Sequence, residues 1–321
     1  MINIDTIYFY FIFTIINLLI LINIKKISFK FQLIDFQINK IHSKDTPKFG
    51  FFLFSNIIFF LYLITFYYEL DDKFLIISNL FLLKSILLLG FLDDRFELDV
   101  KKRIYSSIVI LGLFYFVNPS SIYVSLNFSY FLNFILLVIF SLGFIHLVNI
   151  TDGINGLVPS IFLYSCFYYL FKGYDSLDPF FQFLLILSCL GSLIFLLPNF
   201  FGVCFLGNCG SYLVAIVTSI FYTQLYIKQI VEYSDILLIF IIPFIDGLRV
   251  SINRILNRKN PFVGDYTHIH HIIRPKRLMV ISYFLIVFLP SAINFYFTDY
   301  TIYIGFLTLI VYFVFYKLSI R

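Results

Sequence analysis

Charged residues are scarce in this chain of 321 residues: Asp, Glu, Lys and Arg together make up 13%, whereas soluble domains contain about 25%. Apolar residues make up 61%, and the mean hydropathy is +0.95. These proportions exclude a water-soluble domain and a disordered chain, and they indicate a protein that crosses a membrane several times. Tryptophan is absent, so we expect the 24 tyrosines to act as the interfacial anchors.

Cysteine is also rare. The four cysteines, Cys166, Cys189, Cys204 and Cys209, follow no spacing typical of a zinc site. We interpret them as unpaired apolar residues, which excludes a disulfide-stapled scaffold. No internal repeat of the kind that builds inverted-repeat transporters is visible in the sequence.

Long apolar runs fill most of the chain and do not alternate with polar residues, so they favour spanning helices over a β-barrel. We therefore predict an all-α fold, a polytopic membrane helical bundle of about eleven transmembrane helices. The whole chain, 1–321, is expected to form a single integral membrane domain. The predicted spans are 6–24, 50–68, 74–92, 104–117, 129–149, 156–171, 179–198, 211–227, 236–254, 278–297 and 300–316.

Basic residues are distributed very unevenly between the two sides of this bundle. With the N-terminus outside, the outer loops hold only Lys73, Lys172 and Lys228 of the 23 basic residues, and Lys84 lies within a span. The inner loops and the C-terminal tail hold the others, which places the C-terminus in the cytoplasm. Because this excess follows the topology, it does not indicate nucleic-acid binding.

Two aspartates, Asp93 and Asp94, end the third span on the inner side. Carboxylates at a helix C-terminus face the negative end of the helix dipole, and adjacent carboxylates repel each other. A divalent metal ion, or the basic residues of 95–103, would offset both effects. A solvated acidic helix end is the alternative interpretation.

Two further inner loops contain glycine and amide residues. The segment 149–157 carries Asn149, Asp152 and Asn155 among Asp-Gly and Asn-Gly steps, which are typical of a sharp turn or of a loop that lines a ligand pocket. The segment 207–211 enters the eighth span with two glycines. It indicates either a phosphate site at a helix N-terminus or an ordinary turn capped by Ser211.

Histidines cluster in the last inner loop. His268, His270 and His271 are three of the five histidines in the chain, and they stand among basic residues. Mg²⁺ prefers oxygen ligands, so we favour an anion site here over a metal site, with a solvated basic loop as the alternative. Asp246 and Arg254, at the inner end of the ninth span, belong to the same neighbourhood.

Together these segments carry a family resemblance. The chain resembles the polyprenyl-phosphate N-acetylhexosamine-1-phosphate transferases (glycosyltransferase family 4), closest to the branch that transfers N-acetylglucosamine-1-phosphate. The resemblance runs from Lys44 to Arg277 through five motifs in the family's order. These motifs are Thr46-Pro47 with Gly50, Phe91-Leu-Asp-Asp-Arg-Phe96, Asn149 to Leu157, Gly207-Asn-Cys-Gly-Ser211, and Asn260-Pro-Phe to His271.

The resemblance implies an activity. The family transfers a sugar-1-phosphate from a UDP-N-acetylhexosamine to undecaprenyl or another polyprenyl phosphate and releases UMP, the first membrane step of cell-surface polysaccharide synthesis. It implies Mg²⁺, with Mn²⁺ as the alternative metal. It also implies a multi-pass protein in the lipid bilayer of the bacterial inner membrane, with its active site on the cytoplasmic side.

The resemblance also assigns roles to residues. Asp93, Asp94 and Asp152 are implied to be catalytic. Asp94, Asn149 and Asn208 are implied to be metal ligands. Substrate binding is implied for Lys44, Asn155, Asp246, Arg254, His268, His270 and His271.

The chain departs from the family pattern at two positions. Asn208 stands where the family usually has a metal-associated aspartate, and Tyr266 where it often has arginine. The first departure keeps a second hypothesis open, a catalytically weakened homologue that binds lipid phosphate or UDP-sugar. A transporter of lipid-linked sugars is the third hypothesis. The sequence leaves open which amino sugar is used and whether the protein forms a homodimer.

Overall fold

The computed structural model describes residues 4–35, 45–118, 129–258, 268–269 and 276–319. Lys44, Tyr266, His270 and His271 lie outside the described residues, so the predictions made for them stay predictions.

The described residues are almost entirely helical. The helices are α1 (Ile4–Ile22), α2 (Ile24–Phe31), α3 (Gly50–Tyr67), α4 (Lys73–Phe96), α5 (Val100–Val117), α6 (Tyr130–Thr151), α7 (Leu157–Gly173), α8 (Pro179–Phe200), α9 (Gly207–Ile227), α10 (Tyr233–Leu256), α11 (Lys276–Tyr296) and α12 (Thr301–Ser319). Two short strands, β1 (Ile34–Asp35) and β2 (Thr46–Pro47), pair antiparallel between α2 and α3. Single 3₁₀ turns precede α8 and α12, at Tyr174–Ser176 and Thr298–Tyr300.

Each predicted span falls on one of these helices, so the all-α polytopic fold is confirmed. Within the described residues, seven helices are long and apolar enough to cross a membrane, namely α1, α3, α4, α6, α8, α9 and α12. The count of eleven crossings and the orientation of the termini stay predictions. Helix α2 was not predicted: it is short, with Lys25, Lys26, Phe29 and Lys30 exposed, and too polar to form an apolar run.

Helix α9 is the centre of the bundle. In its most apolar stretch 83% of the residues are buried, against 17% in α1 and 11% in α12. It packs against α3, α4, α6 and α7. The peripheral helices expose large apolar side chains such as Phe11 and Phe306, as expected where the surrounding solvent is lipid.

Glycines bring the start of α3 and the end of α4 into backbone contact with the start of α9. A Cβ added to Gly90 would lie 2.4 Å from Cys209 Cα, and one added to Gly50 would lie 2.7 Å from Gly210 Cα. Helices in lipid associate largely through such close packing of small residues. This contact places the end of α4, which bears Asp93 and Asp94, beside the beginning of α9.

Backbone hydrogen bonds also join the chain before α3 to the start of α9. The Phe49 N–H donates to the Phe205 carbonyl over 2.8 Å, and the Gly50 N–H donates to the Leu206 carbonyl over 3.1 Å. Lys48 forms a parallel bridge with Phe205. The chain just before α3 is thereby fixed beside the chain just before α9.

The Gly90 contact yields a stability prediction. Gly90→Ala should lower the free energy of unfolding by about 1–3 kcal/mol, because the added methyl group overlaps the α9 backbone. Gly143→Ala is the matched control, since a Cβ there meets nothing within 4 Å. Equilibrium unfolding in mixed micelles checks both variants. Equal stability of the two variants would contradict the proposed contact.

Candidate active site

A cavity of about 550 Å³ lies where the ends of α4 and α6 meet the start of α9, a size typical of small-molecule sites. It brings together six of the predicted site residues, which come from three distant segments of the chain. These residues are Asp93, Asp94, Asn149, Asp152, Asn155 and Asn208.

Asp94 is buried, and protein donors surround its carboxylate. Lys48 Nζ and the Asn208 N–H each donate to Oδ1 over 2.9 Å, and the Cys209 N–H donates to Oδ2 over 2.9 Å. The N-terminus of α9 therefore does bind an anion, as the glycines of 207–211 indicated, but that anion is the protein's own carboxylate. The unfavourable position of Asp94 at the end of α4 is offset by the favourable dipole of α9 and by an ammonium group.

Asp93 is held just as firmly by different partners. The Leu98 N–H donates to Oδ1 over 2.9 Å, and the Tyr212 hydroxyl donates to Oδ2 over 2.6 Å. Arg103 lies 3.6 Å from Oδ2, so one of the basic residues of 95–103 does face this aspartate. Arg95 instead donates to Gln32.

The segment 149–157 forms a turn and also lines the cavity, so the two interpretations of its sequence are compatible. Gly156 adopts a φ of +87°, which an L side chain disfavours. Its N–H donates to Asn199 Oδ1 over 2.6 Å. Ser211 donates its hydroxyl to Asn149 Oδ1 over 2.8 Å, so Ser211 links α9 to α6 and does not cap α9. This turn directs Asp152 and Asn155 towards the cavity.

Asp152 differs from the other two aspartates. Within the part of the chain that the structure describes, no hydrogen bond or ion pair reaches its carboxylate, although the residue lines the cavity. Burial and the neighbouring charge of Asp94 raise the pKa of Asp152 well above its usual range. A partly buried carboxylate beside a second carboxylate is stabilised by a cation.

The oxygen atoms available as ligands at the cavity suit a hard divalent cation. Among the described residues, no three His, Cys, Asp or Glu side chains form a metal cage. Mg²⁺ does not require one, since it usually takes one or two carboxylates together with water and substrate phosphates. Asp152 and the amide of Asn208 offer oxygens that no described residue engages, whereas Asp94 and Asn149 already accept hydrogen bonds.

Asp246 organises a second polar cluster between α10, α12 and the histidine segment. Arg249 donates to Oδ1 over 2.7 Å, and the Tyr312 hydroxyl donates to the same oxygen over 2.8 Å. His268 Nδ1 lies 2.9 Å from Oδ2, and the Ile269 N–H lies 3.2 Å from both oxygens.

This second cluster lies at the same end of the bundle as the cavity but does not line it. A Cβ added to Gly247 would lie 3.9 Å from Leu147 Cδ1, which is two residues before Asn149 on α6. Arg254 is buried further along α10. The structure therefore places Asp246 beside His268, outside the cavity that Asp93, Asp94 and Asp152 line.

Sequence reasoning missed several residues that hold the site. Lys48 directly follows the Thr46-Pro47 motif, Tyr212 directly follows the motif that ends at Ser211, and Asn199 lies near the end of the apolar helix α8, but no role was predicted for any of the three. Arg249 and Tyr312 were not singled out either. A polar residue within an apolar helix was the available signal, but it does not name its partner.

The Asp246 cluster yields a second prediction. Asp246→Asn should lower the free energy of unfolding by about 3–5 kcal/mol, because the buried ion pair between Asp246 and Arg249 is broken. Asp178→Asn is the control: Asp178 pairs with Lys228 with its side chain 50% exposed, and its loss should cost under about 1 kcal/mol. Unfolding in mixed micelles measures both, and similar losses would contradict the assignment.

Comparisons with known proteins identify relatives of the chain. The model for Glycosyl transferase family 4 matches residues 75–226, which run from α4 to α9 and include all six predicted residues at the cavity. An undecaprenyl-phosphate alpha-N-acetylglucosaminyl 1-phosphate transferase of Thermotoga maritima is 30% identical over 237 residues, 74% of this chain and 71% of the relative. A phospho-N-acetylmuramoyl-pentapeptide-transferase of Petrotoga mobilis is 30% identical over 147 residues, 40% of this chain and 45% of the relative.

Proposed function

The chain belongs to glycosyl transferase family 4, and we propose that it transfers N-acetylglucosamine-1-phosphate from UDP-N-acetylglucosamine to undecaprenyl phosphate, releasing UMP. One observation carries the proposal. Asp93, Asp94 and Asp152, from the ends of two helices, line one cavity together with amide side chains, within the segment that the family matches. The Thermotoga maritima relative supports the choice of sugar.

The proposed reaction depends more on the positioning of the two substrates than on the transfer of a proton. An oxygen of the lipid phosphate attacks the phosphorus that carries the sugar, and the bond from that phosphorus to UMP breaks. A phosphate monoester has its second pKa near 6, so most of the acceptor is already dianionic at pH 7. Asp93, fixed by Tyr212 and the Leu98 N–H, is suited to hold the partners of the lipid phosphate in place.

Asp152 and Asn208 are the residues that would hold Mg²⁺, with Asn149 beside them. When bound, the cation would neutralise charge on the diphosphate and on the departing UMP. Asn155 is proposed to contact the nucleotide. Lys44, His268, His270, His271 and Arg254 are proposed to bind the sugar and its phosphates. Asp246 is proposed to orient His268, because it faces Nδ1 and so directs Nε2 elsewhere.

A membrane location of the site follows from the substrates. The lipid acceptor reaches the site from the bilayer, and the nucleotide-sugar reaches it from water, so the reaction belongs at the interface. We propose the inner membrane of a bacterium, with the cavity facing the cytoplasm. The excess of basic residues on that side supports this orientation.

The activity itself is testable in membranes. With UDP-N-acetylglucosamine, undecaprenyl phosphate and Mg²⁺, we expect UMP release that stops on adding EDTA. Asp152→Asn should lower turnover on the order of 100-fold, because a charged oxygen ligand of the cation is lost, whereas Asp178→Asn on the opposite side should not change it. Asn208→Asp should lower the Mg²⁺ concentration needed for half-maximal rate.

The rival hypotheses predict different results in the same assay. No UMP release from any member of a panel of UDP-N-acetylhexosamines, together with retained binding, would favour a weakened homologue, which the uncharged Asn208 motivates. Faster release with another UDP-amino sugar would correct the choice of sugar. Unchanged turnover of Asp152→Asn would contradict the proposed site of the cation.

The orientation has a separate test. The native cysteines are all buried, so a single exposed cysteine can report its side of the membrane. A membrane-impermeant maleimide should label Asp71→Cys in intact spheroplasts. It should label Asp99→Cys only after the membrane is opened, because the loop after α4 is predicted to be cytoplasmic. The opposite pattern would reverse the proposed topology.

A further inference from the structure

Lys48 has a tightly fixed backbone at the wall of the cavity. Its N–H donates to the Leu33 carbonyl over 2.9 Å, and the residue bridges to Phe205 on its other side. The next residues begin α3, where Gly50 packs against Gly210. The main chain therefore aims the Lys48 side chain at the end of α4, and the side chain is only 15% exposed.

The ammonium group of Lys48 is partly occupied. It donates to the Asp94 backbone carbonyl over 3.2 Å and to Asp94 Oδ1 over 2.9 Å. A lysine ammonium carries three N–H donors, and Lys48 also lines the cavity. One donor is thus available to an anion within the cavity.

Two N–H groups at the start of α9 are already engaged in this arrangement. The N–H groups of Asn208 and Cys209 both donate to the Asp94 carboxylate. Among the described residues that line the cavity, Lys48 and Arg103 carry positive charge, and Arg103 faces Asp93. A phosphate on the Asp94 side of the cavity therefore meets Lys48.

We propose that Lys48 binds a phosphate group of the nucleotide-sugar, and that Asp94 is a positioning residue that holds the ammonium of Lys48 and the start of α9 together. The assignment rests on the proposed function for the identity of the ligand. It gives Asp94 a role other than the metal ligand that the family resemblance implies.

Asn208 fits this assignment. Its backbone N–H shares Asp94 Oδ1 with Lys48, so residue 208 lies beside the ion pair. An aspartate at this position would add a second carboxylate near the ammonium. The asparagine adds no further carboxylate directly beside the Lys48 ammonium, which leaves that side of the cavity more favourable to an anionic ligand.

Binding measurements test the role of Lys48 apart from turnover. The dissociation constants of UDP and of inorganic pyrophosphate would be measured by calorimetry on the full chain in detergent, with Mg²⁺ and again in EDTA. Lys48→Gln should weaken binding of both probes tenfold or more, because a charge-assisted hydrogen bond is lost. Lys48→Arg should stay within a few fold of the wild type. Lys73→Gln, an exposed lysine at the other end of α4, is the matched control and should bind both probes as the wild type does.

If Lys48→Gln fails to fold, a double variant tests the same proposal. That variant leaves Asp94 buried without its ammonium, whereas the double variant Lys48→Gln/Asp94→Asn removes both charges, and asparagine can still accept hydrogen bonds at a helix start. A folded double variant with weakened binding supports the proposal. Wild-type affinity in a folded Lys48→Gln or double variant overturns it, as does wild-type protein that binds neither probe.

The role of Asp94 has a readout that a metal ligand would not share. Asp94→Asn should raise the KM for the nucleotide-sugar and leave the Mg²⁺ concentration for half-maximal rate unchanged. A shift mainly in that Mg²⁺ concentration would make Asp94 a metal ligand and overturn its assignment. Wild-type protein that binds pyrophosphate through Lys48 but releases no UMP would refute the proposed function while leaving the Lys48 assignment intact.

Discussion

The carboxylate of Asp94 is the interaction on which the arrangement of the cavity depends. A buried charge costs several kcal/mol unless donors surround it, and Asp94 collects its donors from α9 and from the chain before α3. Three segments that are distant in the sequence must therefore come together for this group to be satisfied. The Asp93 carboxylate repeats the arrangement one residue earlier, with Tyr212 on α9 and the chain after α4.

Close packing makes this polar arrangement attainable. Lipid offers the helices no hydrophobic reason to associate, so contacts between small residues and satisfied polar groups must hold them together. Gly50, Gly90 and Gly210 lie at the same end of the bundle as the aspartates. The missing side chains let the backbones approach closely enough for a carboxylate on α4 to reach the first N–H groups of α9.

The second cluster joins the last helix to the same end of the protein. Asp246 accepts hydrogen bonds from Arg249 on α10, Tyr312 on α12 and the Ile269 N–H, so residues 268–269 are held beside a helix that is far from Asp93 and Asp94 in the sequence. In the proposed reaction the cavity would hold the cation and the phosphates, and the Asp246 cluster would orient His268.

The sequence by itself determined the class of the protein and predicted that its polar motifs lie together at one end of the spans. Long apolar runs require helices in lipid because backbone groups there must bond internally, and the order of the motifs indicated the family. It also predicted that Asp93, Asp94, Asn149, Asp152, Asn155 and Asn208 lie at one end of the bundle, where the structure brings them to one cavity, whereas Asp246, predicted for the same site, lies outside it. Only the tertiary structure decided what each group contacts. The partners of Asp94 lie 46 residues before it and 114 and 115 residues after it. Helix packing sets such pairings, and no local pattern around Asp94, Lys48 or Tyr212 records which helices meet.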